Sequence, residues 1–469
     1  VRGILALGGY VPFRRLDRRS IAAVAGSGGG SGTRSVASYD EDTTTMGFEA
    51  ARTALRSGDA GSIASLWFAT TAPAYADRTN ATAIHAALRL DREVVAADAN
   101  GSVRSAVAAL RAALVSTERA LVVASDLRTG LPGSADEAAG GDGAAAVAVG
   151  DDGGGVGGRG AEGLLAEYLG GGSATEEFLD RWRAPGEVRS RQWEERFGEG
   201  RYTALGEEAW ERAVKATGVP APDHLIVVST HARAAATLAK RLAGPTTTIA
   251  DTLSAAVGHT GAAHPLLVLT SVLEEHAAPG QIVALVSLAD GADVLVFRVR
   301  RRPTPARPVS AQVAAGGPIG YGKFLSWRGL LTVEPPRRPE PARVSASAAG
   351  RSVEWKFGFV GSRDKTTGDV RMPPAVPGAD PGEEWEPAPM ADTQGTVATY
   401  TIDRLAYSPS PPVMFAVVDF DRGGRLPVEL TDADPDEVAV GMRVEPTFRR
   451  LSTADGIHNY FWKARPVRA

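Results

Sequence analysis

Along the first 300 residues, apolar positions gather into short unbroken runs: "EVVAA" (93–97), "ALVVASD" (120–126), "AAAVAVG" (144–150), "HLIVVST" (224–230), "IVALVSL" (282–288) and "DVLVFRV" (293–299). None alternates apolar with polar, so each predicts a strand covered on both faces. Between runs the period changes. Val103, Ala106, Val107, Leu110 and Leu114 share one face after "NGS" and predict an amphipathic helix. Strands alternating with helices predict an α/β domain. The order also repeats: "NGS", helix, "ALVVASD", "GGDGA", "AAVAV" in the first half; "GHTGAA", helix to about Glu275, "IVALVSL", "ADGAD", "VLVF" in the second. Ligands of such sheets bind at the carboxyl ends of strands, so "NGS" and "GHTG", at equivalent helix entrances, are expected to share a site.

Three stretches depart from this pattern. Residues 151–222 begin with "GDDGGGVGGRG" and continue with many charges around Trp182, Trp193 and Trp210. They read as an inserted helical subdomain, either a surface helix pair with its tryptophans turned inward or a lid forming an acyl-pocket wall. Residues 301–350 are Pro- and Arg-rich and read as a linker, with "YGKFLSWRGLL" as a short docking helix. From 391 onward, "GTVATYTIDRLA", "VMFAVVDFD", "RLPVELTD", "MRVEPTFRRL" and "NYFWKARP" predict a small β-barrel of the OB kind.

Composition narrows the chemistry. With 469 residues, 43% of them hydrophobic, the chain can fill several cores. A formal net charge of -4 argues against a nucleic-acid partner. No run approaches the roughly 18 apolar residues of a membrane helix. The opening "VRGILALGGYVPF" reads as a strand rather than a secretory signal, so a cytoplasmic place is expected. Cysteine is absent, which removes disulfides, thiolate zinc sites and cysteine nucleophiles. "GSGGGSG" (26–32) lacks the Lys-Ser/Thr of a phosphate cradle.

Residues 1–300 resemble the thiolase superfamily, in its 3-hydroxy-3-methylglutaryl-CoA synthase and ketoacyl synthase III branch. The likeness is carried by "TMGFEAARTAL" (45–55), "AADANGS" (96–102), "GGDGAAAVAVG" (140–150), "GHTGAAHPLL" (258–267) and "LADGADVLVF" (288–297). Residues 351–390 and 391–469 resemble the zinc-ribbon and OB-fold accessory module of acyl-CoA enzymes. The resemblance implies a pseudo-two-fold, layered α-β-α-β-α domain, usually a homodimer, that handles acyl-CoA or acyl-carrier thioesters with no permanent cofactor, alone or within a larger enzyme complex.

It also implies roles that this sequence fills differently. The acylated cysteine falls on Ser102, the asparagine of the glycine turn on His259, and a general-acid glutamate on Thr71; the histidine has its counterpart in His231. Ser102 is equally suited to cap a helix, and as a nucleophile it would need a base such as His231 or His259. His231 follows a buried strand and could be a hydrogen-bonded core residue; His259 could be a polar turn residue. His85, His224, His264 and His276 read as structural. Gly258 and Gly261 let the backbone approach a ligand. Trp182, Arg181 and Arg183 could meet the CoA end, although arginines there, with Arg189 and Arg191, also suit a solvated face. Asp364 and Thr367 stand where a zinc ribbon has a Cys-x-x-Cys pair, and 377–384 offers no cysteine, so no zinc is expected. Three activities stay open: an acyltransferase or condensing enzyme with serine for cysteine, a cysteine-independent retro-aldolase on acyl-CoA, and a non-catalytic acyl-CoA-binding scaffold.

Overall fold

The six apolar runs are strands of one sheet in the computed structural model, which describes residues 1–57, 63–152, 163–334, 337–375 and 384–468. The chain divides into two units. The first is Val1–Ala37, Met46–Thr82 and Arg92–Phe324; the second is Ser38–Thr45, Ala83–Asp91 and Leu325–Ala469.

The sheet of the first unit contains β1 (Arg2–Tyr10), β2 (Ser65–Thr70), β3 (Val95–Asn100), β4 (Ala120–Asp126), β5 (Gly143–Asp151), β6 (Ala166–Ala174), β7 (His224–Ser229), β8 (Thr248–Ile249), β9 (Ile282–Leu288) and β10 (Ala292–Val299). Their order is β8-β7-β9-β10-β6-β1-β5-β4-β2-β3. Reading outward from the β1–β6 junction, one half runs β1-β5-β4-β2-β3 and the other β6-β10-β9-β7-β8. In each half the outer three strands are parallel and the inner pairings antiparallel. The repeat in the sequence is therefore a pseudo-two-fold in space.

Side-chain alternation shows why the runs carry no polar face. Ile226, Val228, Val283 and Leu285 belong to one hydrophobic cluster, which also holds Ala106, Val107 and Leu110 of α1 (Ser105–Val115). Their neighbours Leu225, Val227, Ala284 and Val286 belong to another, with Tyr202, Leu205 and Trp210 of α2 (Glu195–Thr217) and Leu238 of α3 (Ala232–Leu242). The first cluster also takes Leu266, Leu267 and Leu269 of α4 (His264–Ser271), every residue of which is buried, and Val122 and Val147 from the other half. Helices α1 and α4 thus form a central layer between the half-sheets. On the outside of the first half, the helix Thr43–Ser57 lies against β1 so closely that a Cβ on Gly8 would sit 2.5 Å from the amide of Ala54.

Residues 151–222 are not a separate helical insert. Their glycine-rich part, 153–162, lies outside the described residues; Ala166–Ala174 is β6, at the sheet centre. "AEYLGGGSA" hides this strand because its glycines are set by packing: a Cβ on Gly172 would lie 2.1 Å from the carbonyl of Ala209 in α2. A two-strand hairpin, Arg181–Trp182 with Arg191–Gln192, then leads into α2. Trp210 is buried, whereas Trp193 is exposed and meets Trp182 edge-on at 6.3 Å. The stretch read as a linker begins inside the first unit. Tyr321, at the head of the helix Tyr321–Trp327, donates to Oε2 of Glu137 at 2.9 Å, and buried Phe324 carries the Arg34 guanidinium 5.0 Å from its ring centre.

Glu274, just past α4, is buried and accepts one backbone hydrogen bond, from Val309 at 2.8 Å, while its Oε1 meets no donor. Burial raises its carboxyl to about 7. A raised acid pKa means the folded chain binds the extra proton, so stability is full below about 4.3 and falls as pH rises through 7. Glu274→Gln is expected to stabilise the protein by about 2 kcal/mol at pH 8 and to leave it unchanged at pH 4. Urea unfolding at both pH values checks this.

In the second unit, β11 (Val360–Asp364), β12 (Val370–Arg371) and β13 (Trp385–Pro389) form a three-stranded ribbon. Asp364 holds its knuckle: Oδ1 accepts the amides of Thr366 at 2.7 Å and Thr367 at 2.9 Å. A carboxylate here closes the turn with hydrogen bonds, and no group able to hold a metal occurs among the described residues. Most of 377–384, where a second knuckle would lie, is outside the described residues. Trp385 receives the Arg371 guanidinium at 4.6 Å. Beyond the ribbon, β14 (Gly395–Asp403), β15 (Val413–Phe420), β16 (Arg425–Leu430), β17 (Arg443–Ala454) and β18 (Ile457–Pro466) close a barrel in the order β14-β15-β16-β18-β17.

Candidate active site

The parallel strands bring the sequence candidates to one edge of the sheet. Thr70 pairs with Asn100, so Thr71 and Ser102 leave neighbouring strand ends, and β4 delivers Asp126 beside them. In the other half Ser229 pairs with Leu288, so His231 and Asp290 leave neighbouring ends, and the chain after β8 leads to His259.

Two reciprocal bonds join the halves. Ser102 Oγ donates to Oδ2 of Asp290 at 3.2 Å, and the amide of Ala262 donates to Oδ2 of Asp126 at 2.8 Å. Each half thus sends a strand-end aspartate to the entrance of the other half's central helix, where the helix dipole favours negative charge. Asp290 and Gly291 reach this place through left-handed backbone (φ 47° and 133°), the Asp-Gly turn read in the sequence. Ser102 Oγ also accepts the amide of Arg104 at 3.1 Å, closing the turn that leads into α1; the N-cap position of α1 itself is Arg104, with no side-chain cap. Arg104 is fixed in turn, by Oδ2 of Asp293 at 2.7 Å and the hydroxyls of Ser173 and Thr175.

Asp126 is fully buried and accepts from Thr70 Oγ1 at 3.2 Å, the amide of Thr71 at 2.9 Å and Thr71 Oγ1 at 2.8 Å, besides Ala262. Thr71 therefore has its only hydroxyl proton committed. Its Oγ1 accepts from Nη1 of Arg128 at 3.0 Å, and its carbonyl from Nη2 of Arg183 at 2.6 Å. Arg181 pairs with Asp136. Gly261 is required where it stands: its φ is 55° and a Cβ would lie 1.9 Å from Oδ2 of Asp126. Gly258 (φ 87°) is packed on the carbonyl of Gly140.

The two histidines differ. His231 is buried; its Nδ1 accepts the amide of Ala234, capping α3, and its Nε2 bonds the carbonyl of Glu195 at 2.9 Å. Both ring nitrogens are occupied. His259 is half-buried, and its Nδ1 accepts the amide of Gly261 at 3.1 Å, which places the proton on Nε2. Burial, then the neighbouring His264, Arg128 and Arg181, hold its pKa well below the usual range. His264, stacked on it at 4.1 Å, is pushed down to about 3 by burial. His259 is therefore a neutral N–H donor across the ordinary pH range. No hydrogen bond recorded among the described residues joins Ser102 to either histidine. Asp126, Arg128, Arg104 and Asp290 escaped the sequence reading, although an aspartate closing "ALVVASD" and one in "LADGAD" was a signal available in both halves.

Residues 388–449 match the family model of the ChsH2 C-terminal OB-fold domain. The hydroxymethylglutaryl-CoA synthase of Pyrococcus furiosus is 28% identical over 308 residues, 63% of this chain and 85% of that protein. A DUF35 domain-containing scaffold protein of Methanocaldococcus jannaschii is 27% identical over 124 residues, 25% of this chain and 87% of its own length. The chain is a thiolase-like domain fused to an OB-fold domain. The fold of the thiolase-like domain recurs in a MvaS structure in complex with 3-hydroxy-3-methylglutaryl coenzyme A, at 19% identity and TM-score 0.57, over 72% of this chain and 94% of that one. It recurs too in the curacin pathway HMG synthase in complex with acetyl donor-ACP, at 18% identity and TM-score 0.54, over 70% and 88%. The first domain has the fold of these proteins. Among the described residues no helix is long and apolar enough to cross a membrane.

Proposed function

We propose that the protein is an acyl-transfer or condensing-type enzyme acting on a CoA or carrier-bound thioester, with Ser102 as acyl acceptor. The observation that carries this is the Ser102–Asp290 pair at the mouth of α1, at the strand ends where Thr71 also emerges. In the first step Ser102 Oγ bonds to the thioester carbonyl carbon and its proton passes to the Asp290 carboxylate. The C–S bond then breaks and the departing thiolate takes that proton from Asp290. Neutral His259 supplies a fixed N–H for the carbonyl oxygen as it gains charge. His231 acts by setting the start of α3 rather than as the base. The named relative and the CoA- and ACP-bound structures of similar fold support the thioester class. A homodimer joined through β3 fits the fold, because among the described residues β3 has a neighbour on one side only and Val95 is 60% exposed.

Intact mass measurement after incubation with a panel of acyl-CoAs tests the reading. An added acyl mass is expected on the parent chain, absent in Ser102→Ala, and appearing more than about 10-fold slower in His259→Ala. Thioester binding by calorimetry without any adduct would remove the covalent step and leave a binding protein.

A further inference from the structure

We infer that the first unit holds a second small-molecule site, a slot behind the His259–His264 pair that takes an uncharged, mainly apolar molecule with one carbonyl acceptor. It goes beyond the thioester reading and does not depend on it.

The slot follows from an edge strand that stops early. β8 pairs with β7 over two residues only, Thr248 with His224 and Ile249 with Leu225, and the chain then leaves the sheet. Val227, Val228 and Ser229 of β7 therefore have no strand beside them on that side among the described residues. On the facing wall α3 presents Ala232, Ala235, Ala236 and Ala239, whose methyl groups are too small to close the gap. What remains is a cavity of about 190 Å³ along two turns of α3, a length of roughly 10 Å. Exposed Ile249 and Ser254, with Thr252, stand at its mouth, and buried His264 lies at its floor.

Its polar inventory is short. Ser229 Oγ is committed, donating to the carbonyl of Leu288 and accepting the amide of His231, both at 3.0 Å. Thr252 Oγ1 and Ser254 Oγ bond each other at 2.8 Å. His264 is 1% exposed, and its Nδ1 accepts the amide of Thr260 at 3.3 Å, so the ring proton lies on Nε2. No acceptor meets that N–H among the described residues, and no other ionisable side chain lines the slot there. Burial pushes the His264 pKa down to about 3, so the ring is a neutral donor.

A buried N–H left unmet costs free energy, and water remedies it poorly where it finds few other polar partners. An apolar body with one acceptor meets the donor and covers the alanine and valine walls. An apolar cavity of about 150 Å³ takes benzene, so this slightly larger one suits a molecule of roughly eight heavy atoms. A carboxylate would lose its hydration with no cation to replace it. The occupant would lie against the residues that fix both histidines of the candidate site: His264 stacks on His259 at 4.1 Å, and the Ser229 hydroxyl holds the His231 amide.

The test uses the full chain carrying isotope-labelled histidine, with 2-heptanone, hexanoate and heptylammonium as probes matched in size. Long-range proton–nitrogen NMR reads the histidine rings, and calorimetry reads affinity. At neutral pH 2-heptanone is expected to move the Nε2 resonances of two histidines, His264 through the new hydrogen bond and His259 through the stack. The His259 signal is identified by its loss in His259→Gln. The ketone should also bind about 10-fold or more tighter than either ion. Ala236→Leu, at an exposed position of α3, fills the slot and should abolish both shifts with thermal unfolding unchanged. No shift and no heat with 2-heptanone, or undiminished binding to Ala236→Leu, would overturn the inference. Tighter binding of hexanoate or heptylammonium would overturn the ligand class. Displacement of 2-heptanone by free CoA would put the slot on the thioester path and overturn its standing as a second site.

Discussion

Asp126→Ala is expected to lower the stability of the first unit by about 3–5 kcal/mol, because it removes the acceptor of a buried network and leaves its donors unpaired. The Ala262 amide, held to this carboxylate, is buried where water does not easily replace it, while the Thr71 amide is half-buried. Arg128 also loses the nearest negative charge. Asp126→Asn keeps an acceptor and loses the charge, so roughly half the effect is expected from it. Gly261→Ala should match the alanine variant by a different route, since its Cβ would occupy the space of Asp126 Oδ2 and its φ of 55° disfavours a side chain. Urea unfolding followed by tryptophan fluorescence reads all three. An alanine variant within 1 kcal/mol of the parent, to take a threshold of the size of one ordinary hydrogen bond, would show that Asp126 is not what ties the two halves at this edge.

The second large effect belongs to the second unit. Arg449 is 1% exposed and meets Oδ2 of Asp432 at 2.7 Å, Oε1 of Glu41 at 2.6 Å and Oδ1 of Asp40 at 3.5 Å. Lys463 Nζ lies 3.0 Å from Oδ2 of Asp40 and also binds Glu429. Two cations therefore hold four carboxylates, three of them buried. Arg449→Met leaves three of them short of a partner and is expected to cost about 3–5 kcal/mol. The pH dependence has a definite sign. Burial alone would raise the Asp40 carboxyl, but Lys463 and Arg449 outweigh it and hold the group at about 2. A depressed acid pKa stabilises the fold above the unfolded value near 3.9, and this is lost as pH falls toward 2. Without Arg449 the folded pKa rises, so the acid limb of unfolding should move up by about one pH unit. Circular dichroism of parent and variant between pH 2 and 6 decides it, and an unmoved limb would exclude Arg449 as the source.

The strands and helices were legible because burial on both faces writes itself into every residue of a run. Leu225 through Val228 feed two different cores in alternation, so none of them could be polar. The OB-fold barrel was legible by a different pattern: its strands bury one face, as in "RLPVEL", where Leu426, Val428 and Leu430 are buried while Arg425 and Pro427 are exposed. Strand β6 was not, since "AEYLGGGSA" owes its glycines to the closeness of α2 and not to any local preference. The knuckle at Asp364 could be read as lacking thiolates, but not as closed by that aspartate's own hydrogen bonds to Thr366 and Thr367.

The sequence by itself determined the alternation of strand and helix, the doubled order of motifs, the barrel after 391 and the exclusion of cysteine chemistry. Those properties are local or periodic, and each is carried by many residues at once. Only the tertiary structure decided how single side chains are committed. Ser102 donates to an aspartate 188 residues away, Asp126 takes an amide 136 residues away, and Arg128 and Arg183 meet on Thr71 from separate segments. Such pairings depend on which strand ends the sheet sets side by side, and strand order is fixed by packing across the whole domain rather than by any stretch of chain.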